Sequence, residues 1–307
     1  MCEISVVIPA FNAESTISNA IESVLSQSYT DYEIIVVDDG SKDNTVSVVK
    51  NKFDKDVRLI QHSSNKGAPA ARNTGINTSN GDYISFLDSD DQYSELKLKK
   101  QYEYLKRKEE DYVAVHSKEK KEQSSFPRKI EDYVGQRLQI FKTYDEDQPA
   151  SKHKLDLLSA DSKFGNTSTL MVEAQAIKAI GGFDESFQRH QDWEFLIRLL
   201  DVGKIAFVNE PLVIRGDTGR PSAYRYEIEK ARYLRKYKQL VNEFESSGFQ
   251  ITKYNNLELC KFFLRDGDLS RARYYLKRSD FKNAIQILAL LWSVALYSFS
   301  KIKNRIN

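Results

Sequence analysis

A chain of 307 residues, 40% hydrophobic and 29% charged, has material for one large α/β domain plus a smaller appendage, and for a soluble, charge-covered surface. Its two cysteines, Cys2 and Cys260, lie far apart and match no zinc or dithiol spacing, so they read as reduced thiols of a cytoplasmic protein. The net charge of +2 hides an asymmetry: from Gly216 onward there are 18 Lys and Arg against 9 Asp and Glu, and no recognised nucleic-acid motif accompanies that excess.

Strand and helix patterns alternate from the start. Ile4–Ala10 is a continuous apolar run of buried-strand type, too short and too lacking in a basic leader to be a signal peptide. Residues 14–28 follow at helical spacing, then a strand over 33–38, a helix over 44–53, a strand over 57–62, a helix over 68–78 and a strand over 82–87. This βαβαβαβ rhythm predicts a mainly parallel sheet covered by helices on both faces. A polar helix over 97–110 and a strand over 112–116 come next. From 117 to about 164 the pattern weakens into charged loops, with a helix around 133–141. Strands at 167–172, 205–208 and 212–214 and helices at 174–180 and 192–200 complete this half. Beyond Pro221 the chain reads as helical, with a helical hairpin over 258–277 turning at Gly267. The domain boundary therefore falls at 216/217, giving a catalytic domain over 1–216 and a helical region over 217–307.

Two strand ends carry chemistry. Asp38-Asp39-Gly40-Ser41 ends the second strand; a carboxylate there can accept from the imide N–H of a uracil ring, or the segment can simply cap the next helix. Asp88-Ser89-Asp90-Asp91 ends the fourth strand, and like charges packed there are costly unless a cation occupies the site. A solvated acidic turn is the plain alternative. Asn65-Lys66-Gly67 leads into a helix start that favours phosphate, with Arg72 able to face the same crevice.

These segments, with SVVIPAFN (5–12), EIIVVDDGSKDNT (33–45), NKGAPAARNTGI (65–76), GDYISFLDSDD (81–91) and GGFDESF…QDWEFLIRL (181–199), occur in the order and spacing of family 2 glycosyltransferases, which the chain resembles over roughly residues 3–216. The resemblance implies a GT-A fold: a Rossmann-like, mainly parallel mixed sheet flanked by helices, here with a C-terminal helical extension. It implies inverting transfer of a sugar from a nucleotide donor, usually a UDP-sugar. Pro9, Ala10 and Phe11 match the strand that lines the nucleoside pocket, Asp39 the residue that reads the uracil imide, and Arg72 a base contact, with Gly67 beside them. Asp88-Ser89-Asp90 looks like the family's DxD, with Asp88 toward the ribose and Asp90 binding Mn²⁺ or Mg²⁺; Asp91 reads as a helix cap or supporting group. Asp192 aligns with the general base, with Glu194 as runner-up. His190 reads as a pocket-edge residue, and Trp193 as core.

Two departures matter. Many relatives end the last strand with a basic-aromatic segment closing in His, where this chain has Ile214-Arg215-Gly216-Asp217; a third protein ligand to the metal is absent there unless Asp217 substitutes. The QxxRW motif of processive synthases is also missing, which favours single-sugar transfer. Residues 284–299 are apolar on every side of a helix, but 16 residues fall short of the ~20 that span a bilayer. Such a helix must be buried: in its own domain, in a homodimer, or on an anionic membrane surface with the basic tail as anchor. The expectation is a metal-dependent, non-processive transferase, peripheral on the inner face of the cell membrane. It builds a lipid diphosphate-linked glycan such as an O-antigen (lipopolysaccharide) or capsule repeat unit. A sugar nucleotidyltransferase lacks support because Phe11-Asn12-Ala13-Glu14 replaces a Gly-rich basic loop. A non-catalytic nucleotide-sugar-binding scaffold would need neither Asp90 nor Asp192.

Overall fold

The computed structural model of the chain describes residues 2–108, 111–121, 144–161, 164–216, 221–281, 290 and 294. The expected helix at 133–141, Asp217 and nearly all of the apolar segment 284–299 lie outside the described residues. The chain divides into two compact units. The first comprises Met1–Ala150 and Lys163–Thr218, and the second Ser151–Ser162 with Gly219–Asn307.

The first unit is an α/β layer structure. Its strands are β1 (Ile4–Ala10), β2 (Tyr32–Asp38), β3 (Arg58–Gln61), β4 (Tyr83–Phe86), β5 (Gln92–Tyr93), β6 (Tyr112–Lys121), β7 (Met171–Glu173) and β8 (Lys204–Arg215). They form one sheet in the order β3-β2-β1-β4-β7-β6-β8-β5. β1 runs parallel to both β2 and β4, β2 to β3, and β6 to β8, whereas β7 is antiparallel to β4 and β6, and β5 to β8. The helices are α1 (Ile17–Leu25), α2 (Thr45–Phe53), α3 (Ala68–Thr78), α4 (Lys97–Lys106), α6 (Ala174–Ile180) and α7 (Gln191–Leu199); α5 (Ala150–Leu158) belongs, but for its first residue, to the second unit.

Every residue of β1 is buried, as expected of a central strand covered on both faces. The apolar faces of α1 and α2 close over it, with Ile17, Ile21, Val24, Val49 and Phe53 in the same core as Val6 and Ile8. The parallel order β3-β2-β1-β4 reverses direction across β1, so a crevice opens at the carboxyl ends of β1 and β4, where such sheets bind ligands. Pairing of β4 with β1 stops at Val7, so Pro9 lies where β1 runs past that neighbour and its missing N–H is tolerated.

The structure differs from the sequence expectation in three places. Residues 167–172 were expected as a strand, but Thr167–Thr169 form a 3₁₀ turn and only Met171–Glu173 pair. Side-chain bonding outweighs β propensity there: Thr169 Oγ1 donates to the Asn166 carbonyl (2.8 Å), and Ser168 Oγ to Asp91 (2.6 Å). The two strands expected at 205–208 and 212–214 are one, β8, whose pairing with β6 shifts register around Pro211, the kind of irregularity that accommodates proline in a sheet. The expected loop over 117–164 instead holds the C-terminal part of β6 and helix α5, with Leu155, Leu157 and Leu158 buried.

The second unit is helical among its described residues: α8 (Ala223–Lys236), α9 (Lys238–Ser246), α10 (Ile251–Asp266) and α11 (Leu269–Leu276). Gly267 turns α10 into α11, forming the expected hairpin. Asp268 caps α11 by accepting from Arg271 N (3.0 Å), and Asp266 accepts from Ala223 N (2.6 Å) at the start of α8. Ala223, Cys260, Phe263 and Ala272 form its small core. Asn255 Nδ2 donates to the Leu158 carbonyl (2.7 Å), which ties α5 into this unit. Both cysteines are free thiols.

Candidate active site

The loops after β1 and β2 are sewn together by side-chain bonds to backbone. Ser41 Oγ accepts from Asn12 N (2.9 Å), Asn12 Oδ1 from Lys42 N (2.8 Å), and Thr45 Oγ1 from Ala13 N (2.8 Å). Asn12 takes a left-handed backbone (φ 50), which Asn tolerates. Pro9 and Ala10 are buried, whereas Phe11 is 45% exposed.

Asp39 is buried and organises the neighbouring loop. Its carboxylate pairs with His62 Nδ1 (2.7 Å) and accepts from Lys66 N (2.9 Å) and Gly67 N (2.7 Å). Gly67 has φ 98, ψ 155, a conformation open essentially to glycine alone, and it starts α3. The residue implied to read a uracil edge is thus also the residue that shapes the pocket floor.

Arg72, on the first turns of α3, is only 2% exposed. Its Nη2 donates to Asp88 Oδ1 (2.5 Å), and its guanidinium lies 5.3 Å from the centre of the Phe183 ring. Nε and Nη1 have no hydrogen-bond partner among the described residues. A buried donor left unpaired costs about 1–3 kcal/mol, more for a charged group, so two such donors suit an acceptor-rich ligand.

The three carboxylates at the end of β4 have different environments. Asp88 is held by Arg72. Asp91 is buried and accepts from Asn166 Nδ2 (2.7 Å), Ser168 Oγ (2.6 Å) and Gly216 N (2.9 Å), so it fastens the acidic turn to the 3₁₀ turn and to the end of β8. A Cβ at Gly216 would lie 2.1 Å from the Asp90 carbonyl oxygen, which shows how closely that segment passes. Ser89 and Asp90 remain partly exposed between these anchors. Burial and the charge of Asp88 push the Asp90 carboxyl up, against a pull from Arg215. Arg215 is held by Glu119 (3.0 Å); burial opposes its charge, but Glu119, Asp91 and Asp192 together keep its pKa raised.

Asp192 begins α7, after His190 in a left-handed conformation (φ 57). It is partly exposed, and its Oδ1 accepts from Trp193 N (3.0 Å). Burial pushes its carboxyl up, Trp193 N–H and Arg72 pull it down, and Asp88 adds to the upward push. It therefore shares one electrostatic environment with Arg72 and Asp88, more than a hundred residues earlier. Glu194, the expected alternative base, is fully buried and bidentate to Arg198 (2.6 Å to each oxygen) within α7. Trp193 is partly exposed against His190, with ring centres 4.9 Å apart, and is not core.

Asp90 is partly exposed, and its carboxylate is crowded by the like charge of Asp88. Among the described residues no three His, Cys, Asp or Glu side chains gather to hold a metal. Sequence reasoning missed the floor of this site. Lys97 is fully buried, donates to Ser85 Oγ (2.5 Å), and lies 4.0 Å from the centre of the Tyr93 ring; burial pushes its pKa well down. Tyr93 OH in turn bonds the Phe86 carbonyl, two residues before Asp88. A lysine on an exposed-looking polar helix gave no signal for this.

The Glycosyl transferase family 2 model matches residues 5–161. An uncharacterized glycosyltransferase of Rickettsia typhi is 28% identical over 97% of this chain and 91% of its own length. The Escherichia coli UDP-Glc:alpha-D-GlcNAc-diphosphoundecaprenol beta-1,3-glucosyltransferase WfgD is 44% identical, over 32% of this chain and 39% of its own length. Among solved structures, S. aureus TarS 1-349 in complex with UDP superposes with a TM-score of 0.59 at 19% identity, covering 96% of this chain and 83% of that one. The mannosyltransferase PcManGT of Pyrobaculum calidifontis with GDP-Man and Mn²⁺ does so with 0.59 at 16%, covering 97% and 81%. These two likenesses show a GT-A fold.

Burial and the charge of Asp88 push the Asp91 carboxyl up to about 7, against the pull of the Ser168 hydroxyl and the Gly216 N–H. Because this folded-state pKa exceeds that of an unfolded aspartate, its stabilising contribution is complete below about pH 4 and is lost as pH rises through about 7. In metal-free buffer, the urea midpoint of the unsubstituted chain should therefore fall more steeply between pH 5 and 8 than that of Asp91→Asn. Equal slopes would remove Asp91 from this account.

Proposed function

Because the chain belongs to glycosyl transferase family 2, and is accordingly a glycosyltransferase, we propose that it moves one sugar, with inversion, from a UDP-sugar to a glycan acceptor carried on a lipid diphosphate. The observation that carries this reading is the convergence of Arg72, Asp88 and Asp192. A buried cation with two unpaired donors, a strand-end carboxylate and a carboxyl raised by burial act on one another across the crevice.

On this reading Phe11 packs against the uracil ring above Pro9 and Ala10. Asp39, which orders the His62–Gly67 loop, accepts from the imide N–H. Arg72 donates to the nucleotide, and Asp88 takes the ribose side, with Ser89 lining the same turn. Asp90 would hold Mn²⁺ or Mg²⁺, which when bound neutralises charge on the departing diphosphate. Asp192, raised toward the working pH, accepts the proton of the acceptor hydroxyl as that oxygen attacks the sugar carbon from the face opposite the diphosphate. One displacement of this kind inverts the configuration.

The donor class is supported by the UDP named with the TarS structure and the UDP-Glc in the E. coli relative's name, and the metal by the Mn²⁺ of the mannosyltransferase structure. The E. coli relative's diphosphoundecaprenol acceptor supports a lipid-linked glycan, of O-antigen or capsule type. A chain that works on such an acceptor as a peripheral protein has a use for the basic stretch after Gly216. Among the described residues no helix is long and apolar enough to cross a membrane.

Release of UDP from a panel of UDP-sugars should reveal one donor turned over faster with Mn²⁺ than with chelator. Asp192→Asn should slow that turnover about 10²–10⁴-fold while UDP still binds; near-normal rates would place the base elsewhere. Asp90→Ala should abolish the stimulation by Mn²⁺, and its persistence would refute the metal assignment. The chain should sediment with anionic vesicles and stay in solution with neutral ones. A doubled solution mass without vesicle binding would instead favour a homodimer as the cover for residues 284–299.

A further inference from the structure

Arg72 and Asn73 are consecutive on α3 but serve different partners. Arg72 reaches Asp88. Asn73 reaches the turn between α6 and α7, 110 residues further along the chain. Its Oδ1 accepts from Phe183 N (2.8 Å), while its Nδ2 donates to the Phe183 carbonyl (2.9 Å) and to Glu185 Oε1 (2.8 Å). One side-chain amide thus satisfies both backbone groups of Phe183, as a neighbouring strand would.

The segment it grips opens on two glycines. Gly181 and Gly182 are both left-handed (φ 75 and 74), and a Cβ on Gly182 would lie 2.6 Å from Asn73 Oδ1. Phe183 is the joint of the site. Its ring stacks on Phe195 (centres 4.2 Å apart, planes at 12°) and meets Phe86 edge-on at 5.3 Å. Phe195 lies one helical turn after Asp192 on α7, and Phe86 lies two residues before Asp88 at the end of β4.

We propose that Asn73 is a positioning residue: by clipping Phe183 to α3, it sets the distance between the carboxylate that accepts the proton and the strand end that holds the donor. This rests on the transferase reading above. In-line displacement is unforgiving of misplacement, and an error of about 1 Å can cost about 10²-fold in rate. The fold itself has other fastenings for α7, since Arg198 donates to the Ile180 carbonyl (2.5 Å) and pairs with Glu194. Loss of the clip should therefore loosen the register of the base without unfolding the unit.

The test compares Asn73→Ala with the unsubstituted chain. The probes are Mn²⁺ with UDP for binding by calorimetry, and UDP-glucose or UDP-N-acetylglucosamine, whichever is turned over, for rate. The expected result is UDP affinity within two-fold, with turnover lowered at least 30-fold. Any smaller loss of turnover, or a loss of UDP affinity in step with it, overturns the proposal, because the first shows a dispensable clip and the second a general defect of the donor site. If the unsubstituted chain turns over no sugar of the UDP-sugar panel, the donor reading above is what has failed, and hydrogen exchange then judges the clip. Amides of 192–196 exchanging at least ten-fold faster in Asn73→Ala, with those of 88–91 unchanged, support it. Any other exchange pattern overturns it.

Discussion

Three carboxylates within four residues, at the end of a buried strand, are the constraint on which the rest of this site depends. Left in a low-dielectric crevice they would repel one another and drive up their own pKa values. The chain separates them by giving each a different environment. Asp88 receives a guanidinium and Asp91 three hydrogen-bond donors, whereas Asp90 has its own backbone N–H and the charge of Arg215. Asp90 is thus the one of the three without a hydrogen bond from another of the described residues. Stability and chemistry are thus divided among neighbours.

Meeting that constraint draws distant segments together. Arg72 brings α3, Asn166 and Ser168 bring the 3₁₀ turn, and Gly216 brings the end of β8, each to one strand end. The sheet makes this possible. Its parallel half ends at β4, and the antiparallel β7 lies beside it, so the 3₁₀ turn that precedes β7 meets the acidic turn that follows β4. β8 runs far enough to place Arg215 and Gly216 against the same turn, with β5 pairing to it from the acidic turn's other side. Beneath, Lys97, Ser85 and Tyr93 form a polar floor that fixes the last residues of β4.

What could be read from residues alone was largely periodic or local. The run Ile4–Ala10, the alternation of strands and helices up to Phe86, and the glycine turn at 267 all stand where the pattern placed them. The ordered motifs also marked the right strand ends. Segments without a period were misread: α5 sits among charged residues, and β8 is broken by Pro211, whose cost is absorbed by a register shift against β6. Local propensity misled at Thr167–Thr169, where side-chain hydrogen bonds won. Glu194 and Asp192 look equivalent in sequence, two acids on one helix turn, and only the salt bridge to Arg198 separates them.

The sequence by itself determined the sheet's parallel half and the acidic strand ends at Asp39 and Asp88–Asp91. Hydrophobic periodicity and turn chemistry are short-range properties, and they are written in consecutive residues. Tertiary structure decided which of the crowded carboxylates is open, which acid on α7 is buried, and that Asn73 and Phe183 meet at all. Those outcomes depend on burial and on charge–charge distance between residues about a hundred positions apart. No local pattern encodes such separations, because they exist only after the sheet has brought the segments together.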